Sequence, residues 1–140
     1  MIKNSLIILL FLTLLFSCKK DGGKKSSCKP NPNAITLVHD GETREYILYV
    51  PNSYTGTTAV PLMLNFHGYG GQAEAHMSDA DMRPLADAEN FILIYPQGSC
   101  LDGSPHWNTG LPSASNKSDA DDFGFIEALI DKISADYNID

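Results

Sequence analysis

The residues best suited to chemistry in this chain form a glycine-rich loop, HGYGG, at residues 67–71. The loop follows the apolar run Leu62–Phe66, which predicts a buried strand. Glycine permits a sharp turn and lets another group come close to backbone N–H groups. Amides presented at the end of a strand can bind an anion or a developing negative charge. The loop is therefore the first candidate site.

Two alternatives to a catalytic role are open for this loop. Residues 68–73 formally fit the dinucleotide-binding pattern G-x-G-x-x-A after a strand. That pattern needs an acidic residue at the end of the next strand, but Glu89 precedes the strand, while Pro96 and Gln97 follow it. The second alternative is structural, with the glycines forming a tight turn and His67 hydrogen-bonded inside the protein.

The catalytic interpretation is half of an oxyanion hole. Serine hydrolases of the α/β-hydrolase fold take one oxyanion donor from the loop after the third strand, often in an HG-containing motif. Ile35–His39 and Arg44–Val50, joined by the hairpin signal Asp40-Gly41, supply two strands, so Leu62–Phe66 is the third. Amides fixed by a strand can face the oxyanion without reorganising, and losing one donor costs ~3 kcal/mol of transition-state stabilisation.

The elements after the loop predict an α/β architecture. A helix is expected over residues 81–90, with Ser78 or Asp79 as its N-cap. The apolar run Phe91–Tyr95 predicts the next strand, and a long polar loop, Gln97–Asp121, follows it. Because a helix separates two wholly apolar runs, the runs are expected to be parallel strands covered on both faces.

A second helix is predicted over Phe123–Tyr137 by apolar residues that recur three and four positions apart. These residues are Phe123, Ile126, Ile130, Ile133 and Tyr137. Residues 138–140 are typical of a turn that leads into a further strand beside the earlier ones. We therefore expect residues 34–140 to be an incomplete α/β domain, with Leu62–Phe66 at an exposed sheet edge.

The beginning of the chain predicts export. A lysine followed by the apolar run Leu6–Phe16 is typical of a secretory signal peptide over residues 1–17. The ending Leu15-Phe16-Ser17-Cys18 resembles a bacterial lipobox, which makes Cys18 the predicted site of lipid attachment and anchors the protein to a membrane. An ordinary signal peptide with an incidental cysteine is the alternative. Residues 18–33 are polar and predict a flexible tether.

Charge, cysteine content and residue spacing limit which binding partners, disulfides and metal sites can be predicted. Without residues 1–17 the chain carries 9 basic and 17 acidic residues, a formal charge of −8, which argues against nucleic-acid binding. Outside the cytoplasm a disulfide between Cys28 and Cys100 is permitted, but two unpaired thiols remain equally open. No metal site is assigned, because neither the acids near His76 nor residues 118–124 have the spacing of metal ligands.

Five sequence blocks together resemble a known family. They are REYILYVPNSY, PLMLNFHGYGG, ADAENFILIYPQG, HWN and DDFGFIEALIDKISADYNID, and they cover essentially residues 43–140. In this order they resemble the front half of secreted esterases that include polyhydroxybutyrate depolymerases, feruloyl esterases and acetyl xylan esterases. The resemblance implies the N-terminal part of an α/β-hydrolase fold and cofactor-free hydrolysis, by a serine nucleophile, of polyester or plant cell-wall acyl esters.

The resemblance also implies roles for individual residues. His67, Gly68, Gly70 and Gly71 resemble the oxyanion loop, with His67 shaping it and the backbone amide of Tyr69 as the donor. Trp107 resembles an aromatic residue that lines the substrate cleft, although an anchor for the long loop is equally open. Asp121-Asp122 resembles paired acids at the start of the second helix, a place that favours negative charge without any catalytic role.

One departure from the family bears directly on activity. The sequence contains no G-x-S-x-G motif, and Ser99 and Ser104 lack the strand–turn–helix setting that exposes a nucleophile. Nucleophile, acid and base are therefore assigned to no residue, and the chain alone is expected to be inactive and poorly soluble. Two alternatives remain: a non-catalytic surface lipoprotein that binds polysaccharide or polyester, and a peptidase of the same fold.

Overall fold

The computed structural model describes residues 28–110, 113 and 118–140. The predicted signal peptide, Cys18 and most of the predicted tether lie outside the described residues, so the division at residues 17 and 33 stays a prediction. Residues 28–33 contact the domain, since Cys28 is disulfide-bonded to Cys100 and the Asn31 amide donates to the Glu45 carboxylate over 3.1 Å. Within the described residues no helix combines the length and apolarity needed to span a membrane.

Four strands form the main sheet. They are β1 (Ile35–His39), β2 (Glu42–Tyr49), β3 (Leu62–Leu64) and β4 (Ile92–Pro96), in the order β1-β2-β4-β3. β2 pairs antiparallel with both β1 and β4, whereas β3 and β4 are parallel. This arrangement confirms the predicted hairpin followed by parallel strands, and it is an α/β-hydrolase-like fold.

β1 and β3 form the two edges of the sheet. Asp40 and Gly41, with φ angles of 49° and 76°, form the predicted turn between β1 and β2. β3 lies at the opposite edge of the sheet. Just before it, Val60 forms a parallel bridge with Ile139, and the Val60 amide donates to the Asn138 carbonyl over 3.1 Å. Residues 138–140 therefore run alongside the start of β3.

The helix between β3 and β4 is two helices, which corrects the single predicted one. α1 spans Ala73–Asp79 and α2 spans Arg83–Glu89. Ser78 and Asp79, the predicted N-caps, lie in the last turn of α1, and the carboxylate that accepts from the Arg83 amide belongs to Asp81. Ala73 is the one buried residue of α1. The sequence of this helix therefore has no apolar stripe from which a helix could be predicted.

The predicted loop 97–121 contains a small hairpin, a further correction. β5 (Ser99–Leu101) and β6 (Ser104–His106) pair antiparallel as a separate two-stranded sheet. Asp102 and Gly103, with φ angles of 50° and 77°, form the turn between them. This is the same Asp-Gly signal that predicted the first hairpin, and it was available in the sequence.

The last helix, α3, spans Asp122–Asp136, close to its predicted bounds. The predicted buried face is right at Ile133 and, in part, at Ile126 and Tyr137, which pack against the core, but it is wrong at Phe123 and Ile130. Phe125, Leu129 and Ile133 are fully buried, whereas Phe123 and Ile130 are 64% and 37% exposed. Phe125, Leu129 and Ile133 recur four positions apart and so form one face of the helix, and Asp122 lies on the same face three residues before Phe125.

Two hydrophobic clusters lie on opposite faces of the sheet. The cluster beneath α3 consists of Tyr46, Val60, Ile92, Ile94, Phe125, Leu129 and Ile133. The cluster beneath α1 and α2 consists of Ala73, Ala86, Phe91, Leu93 and Tyr95. Successive residues of β4 point to opposite faces, as the pleat of a strand requires, and β4 is therefore buried on both sides.

Candidate functional site: the glycine loop and its supports

The loop of residues 67–71 leaves the sheet at the carboxyl end of β3. The Asn65 amide still donates to the Ile94 carbonyl over 2.8 Å, so the two parallel strands stay paired up to the residue before Phe66. Gln97 and Gly98, which follow β4, reach the same end of the sheet and contact His67. This end is where open α/β sheets bind ligands.

The His67 side chain is buried and both of its ring nitrogens are hydrogen-bonded. The Gly98 amide donates to Nε2 over 3.0 Å, and the Gln97 side-chain nitrogen lies 3.0 Å from the same atom. Because Nε2 is an acceptor, Nδ1 carries the proton and donates to the Gly68 carbonyl over 2.8 Å. Burial lowers the pKa of His67. The neutral ring thus holds the loop from inside.

The backbone of the loop divides into bonded and unbonded amides. The Gly70 amide donates to the Pro105 carbonyl over 2.9 Å, and the Gly71 amide to the Gly68 carbonyl over 3.0 Å. Gly70 has a φ of 75°, a conformation that strains any other residue. The described part of the chain provides no hydrogen-bond acceptor for the Gly68 and Tyr69 amides.

The β5–β6 hairpin supports the loop from outside. Gly98 lies so close to β6 that an added Cβ would come within 2.5 Å of the His106 carbonyl oxygen. The Ser99 hydroxyl donates to the same oxygen over 3.3 Å. Cys100 forms a disulfide with Cys28, with the Cα atoms 5.9 Å apart. The sequence left this pairing open, and the structure shows that it forms.

Trp107 is half-buried and anchors the loop. Its indole N–H donates to the His67 carbonyl over 3.0 Å. Its ring lies 5.3 Å from the His67 ring and 5.2 Å from the Phe66 ring, the latter edge to face. These contacts account for Trp107 as an anchor. Its role in lining a substrate cleft stays a prediction.

Asp121 caps the start of α3. Its side chain accepts from the Gly124 amide over 3.0 Å and lies 2.9 Å from His39 Nε2. These hydrogen bonds, chiefly that from the Gly124 amide, lower the pKa of Asp121. A helix N-terminus favours such a carboxylate, and the side chain is 52% exposed.

Asp122, the adjacent acid, is buried and bonded to distant segments. It lies 2.5 Å from Arg44 Nη2 and accepts from the Asn108 amide over 2.6 Å. The Arg44 guanidinium packs 4.1 Å from the centre of the Phe125 ring and donates to the Gln97 carbonyl over 3.3 Å. Sequence reasoning missed Arg44, because an arginine in an alternating strand gives no sign of a buried partner 78 residues away.

The two serines weighed as nucleophiles, Ser99 and Ser104, lie in the β5–β6 hairpin. Ser99 donates to a backbone carbonyl. Among the described residues no cluster of His, Cys, Asp and Glu side chains could hold a metal ion. What the structure shows at this site is a glycine loop fixed by hydrogen bonds with the His67 ring, the Trp107 indole and the Pro105 carbonyl.

Sequence comparison finds similarity to esterases. A probable feruloyl esterase C of Aspergillus niger is 26% identical over 98% of this chain and 48% of its own length. That of Aspergillus flavus is 27% identical with the same coverage. A bifunctional acetylxylan esterase/xylanase of Neocallimastix patriciarum is 28% identical over 71% of this chain and 13% of its own length. The chain is related to feruloyl and acetylxylan esterases.

The similarity covers only part of each relative, and one solved structure shares the fold. The chain spans about half the length of the feruloyl esterases that it matches, 48% for the Aspergillus niger protein. The crystal structure of a thermostable esterase superimposes with a TM-score of 0.56 at 19% identity, covering 76% of this chain and 31% of that one. That similarity supports the fold alone. No family model matches the sequence.

Proposed function

We propose that this chain is the N-terminal half of an exported serine carboxylic-ester hydrolase of the feruloyl/acetyl xylan esterase or polyester depolymerase type. The observation that carries the proposal is the Tyr69 amide, which has no acceptor among the described residues and belongs to a loop held in place on both sides. The sequence relationship to feruloyl esterases over 98% of the chain supports the reaction class.

In the proposed reaction the loop of residues 67–71 acts on the acyl half of the ester. A serine from the rest of the enzyme attacks the ester carbonyl while a histidine accepts the serine proton, and the carbonyl oxygen becomes an oxyanion. The Tyr69 N–H, held on a rigid backbone, stabilises that charge without reorganising. The histidine then gives its proton to the leaving alcohol, and water releases the acyl group from the serine.

Export of the protein is part of the same proposal. A secretory signal over residues 1–17 with Cys18 as lipid attachment site would place the enzyme outside the cytoplasm, where plant cell-wall esters and polyesters are found. The Cys28–Cys100 disulfide supports this location, because structural disulfides persist in oxidising compartments.

Globomycin, which blocks lipoprotein signal cleavage, should leave an uncleaved precursor, and a Cys18→Ser variant should lose membrane association.

The test of the esterase role targets the proposed donor. In the protein encoded by the complete reading frame, Tyr69→Pro removes the amide hydrogen and should lower kcat for p-nitrophenyl acetate and methyl ferulate about 10²–10³-fold. Tyr69→Phe keeps the amide and is the matched control. An unchanged kcat in a folded Tyr69→Pro variant would rule out the donor.

The same pair of variants tests the short chain. Purified residues 18–140 are expected to hydrolyse no ester above the rate of their own Tyr69→Pro variant. Hydrolysis above that rate would refute the predicted inactivity of this chain and require a nucleophile within it.

A second candidate function, carbohydrate or polyester binding without cleavage, is favoured by exposed aromatic side chains at the loop. Tyr69 is 76% exposed and Phe66 is 44% exposed. Aromatic faces of this kind can pack against sugar rings or apolar polymer chains. Retention of the protein on insoluble xylan or polyhydroxybutyrate, without release of acid from either, would support this function over the enzymatic one.

A further inference from the structure

We infer that Asp122 is a positioning residue for the loop of residues 67–71, acting through Asn108 and Trp107. The structural part of this inference stands on the contacts of the described residues. Its catalytic consequence rests on the proposed function, since only an esterase would use the Tyr69 amide as an oxyanion donor.

The first step is the fixed position of Asp122 itself. Its side chain is 4% exposed and that of Arg44 is 8% exposed, and the two lie 2.5 Å apart. Arg44 is held in turn by the Phe125 ring and the Gln97 carbonyl. A buried carboxylate that keeps its charge needs such a partner, and each of its oxygens then has a defined direction.

The second step joins Asp122 to the loop. One carboxylate oxygen binds Arg44, and the other accepts from the Asn108 amide over 2.6 Å. The Asn108 side chain adds a 2.8 Å bond to the Ala120 carbonyl, so the start of α3 holds this residue at two points. Trp107 precedes Asn108, and its indole N–H reaches the His67 carbonyl over 3.0 Å.

The third step is the effect on the amides of the loop. The His67 carbonyl belongs to the peptide unit that leads into Gly68, one residue before the proposed donor Tyr69. Holding that carbonyl orients the chain as it enters the loop, while Gly98 holds the His67 ring and Pro105 holds the Gly70 amide. Release of the carbonyl would leave the loop held through the His67 ring and the Gly70 amide.

The experiment is hydrogen–deuterium exchange on the complete protein, followed in the peptide of residues 66–72. This peptide contains the protected amides of Gly70 and Gly71. Trp107→Phe removes the indole N–H but keeps an aromatic ring, and Asp122→Asn removes the charge and one acceptor. Asp121→Asn is the matched control, since it changes the exposed neighbouring acid.

We expect exchange of the Gly70 and Gly71 amides to rise at least tenfold in Trp107→Phe and Asp122→Asn and to stay within twofold in Asp121→Asn. Exchange in the β4 peptide, residues 92–96, should remain unchanged, which separates local release from general destabilisation. The double variant should exchange no faster than Asp122→Asn, because both changes break one path. Trp107→Phe keeps the test decisive if Asp122→Asn does not fold.

Unchanged exchange in the loop, or exchange that rises equally in β4, would overturn the inference. Kinetics on the same variants then separate it from the proposed function. In an active parent enzyme kcat should fall about tenfold with KM within twofold. If the parent protein hydrolyses no ester but the two variants still show faster loop exchange, the positioning role of Asp122 is supported and the esterase proposal is rejected.

Discussion

On one face of the sheet Ile92 and Ile94 of β4 pack beneath the 15-residue helix α3, and on the other face Leu93 and Tyr95 pack beneath two helices of seven residues each. α3 contributes large side chains to its face. α1 and α2 bury only Ala73 and Ala86, so their backbones come close to the strand.

The two faces also differ in their polar contacts. Beneath α3 the buried pair Arg44–Asp122 joins β2 to the start of the helix. On the other face the Tyr95 hydroxyl donates to the Ala80 carbonyl and accepts from the Met82 amide, which joins α1 to α2. Helices of seven residues are too short to be stable alone. Close packing and the Tyr95 hydroxyl must therefore hold them in place.

The largest loss of stability is expected from a substitution on the face of the sheet beneath α3. Phe125→Ala removes a fully buried ring and the surface on which the Arg44 guanidinium packs. The free energy of unfolding, measured by urea denaturation, should fall by ~3–5 kcal/mol. Phe123→Ala, at a side chain that is 64% exposed, should change it by less than ~1 kcal/mol. Equal effects at the two positions would contradict the observed orientation of α3.

A smaller loss of stability is expected from enlarging a buried side chain on the face beneath α1 and α2. Ala86 is fully buried beneath α2, and Ala86→Leu adds three carbon atoms where the helix backbone lies close to β4. Overpacking should lower the free energy of unfolding by ~1–3 kcal/mol. The control is Leu85→Ala at a side chain that is 46% exposed. A stabilised Ala86→Leu protein would show that this face is loosely packed.

The smallest effect is expected at His67, where the two faces meet, since its ring contacts both Trp107 and Gln97. Burial lowers the pKa of His67 from the ordinary value of 6.5. The stabilising contribution of the neutral ring is therefore complete above pH ~6.5 and is lost as the pH falls through the lower folded-state pKa.

Urea midpoints at pH 7.5 and pH 5.0 test this expectation. The wild-type protein should lose stability over this interval, and His67→Gln should lose less. Both pH values lie above the range in which Asp121, whose pKa is lowered, takes up a proton. An identical pH dependence in His67→Gln would reject the assignment to this ring.

Much of the sheet and the candidate loop could be predicted from the sequence. Alternating residues and Asp40-Gly41 predict the β1–β2 hairpin, and the apolar runs predict β3 and β4. Each of these signals is local, because a turn dipeptide or a buried run constrains its own backbone. The order of the five sequence blocks also indicated the esterase relatives, although the residues that would cleave an ester were assigned to none of the 140 positions.

The remaining features depend on contacts that no local pattern encodes. α1 has a polar sequence and is helical where Ala73 packs against the sheet. The β5–β6 hairpin is the exception, because its Asp-Gly turn is a local signal. Asp122 at the start of α3 pairs with an arginine 78 residues earlier, and the disulfide joins cysteines 72 residues apart. The sequence by itself determined the four strands of the main sheet, the first hairpin and the position of the glycine loop. Only the tertiary structure decided what holds that loop, because its supports come from segments that meet after the sheet has formed.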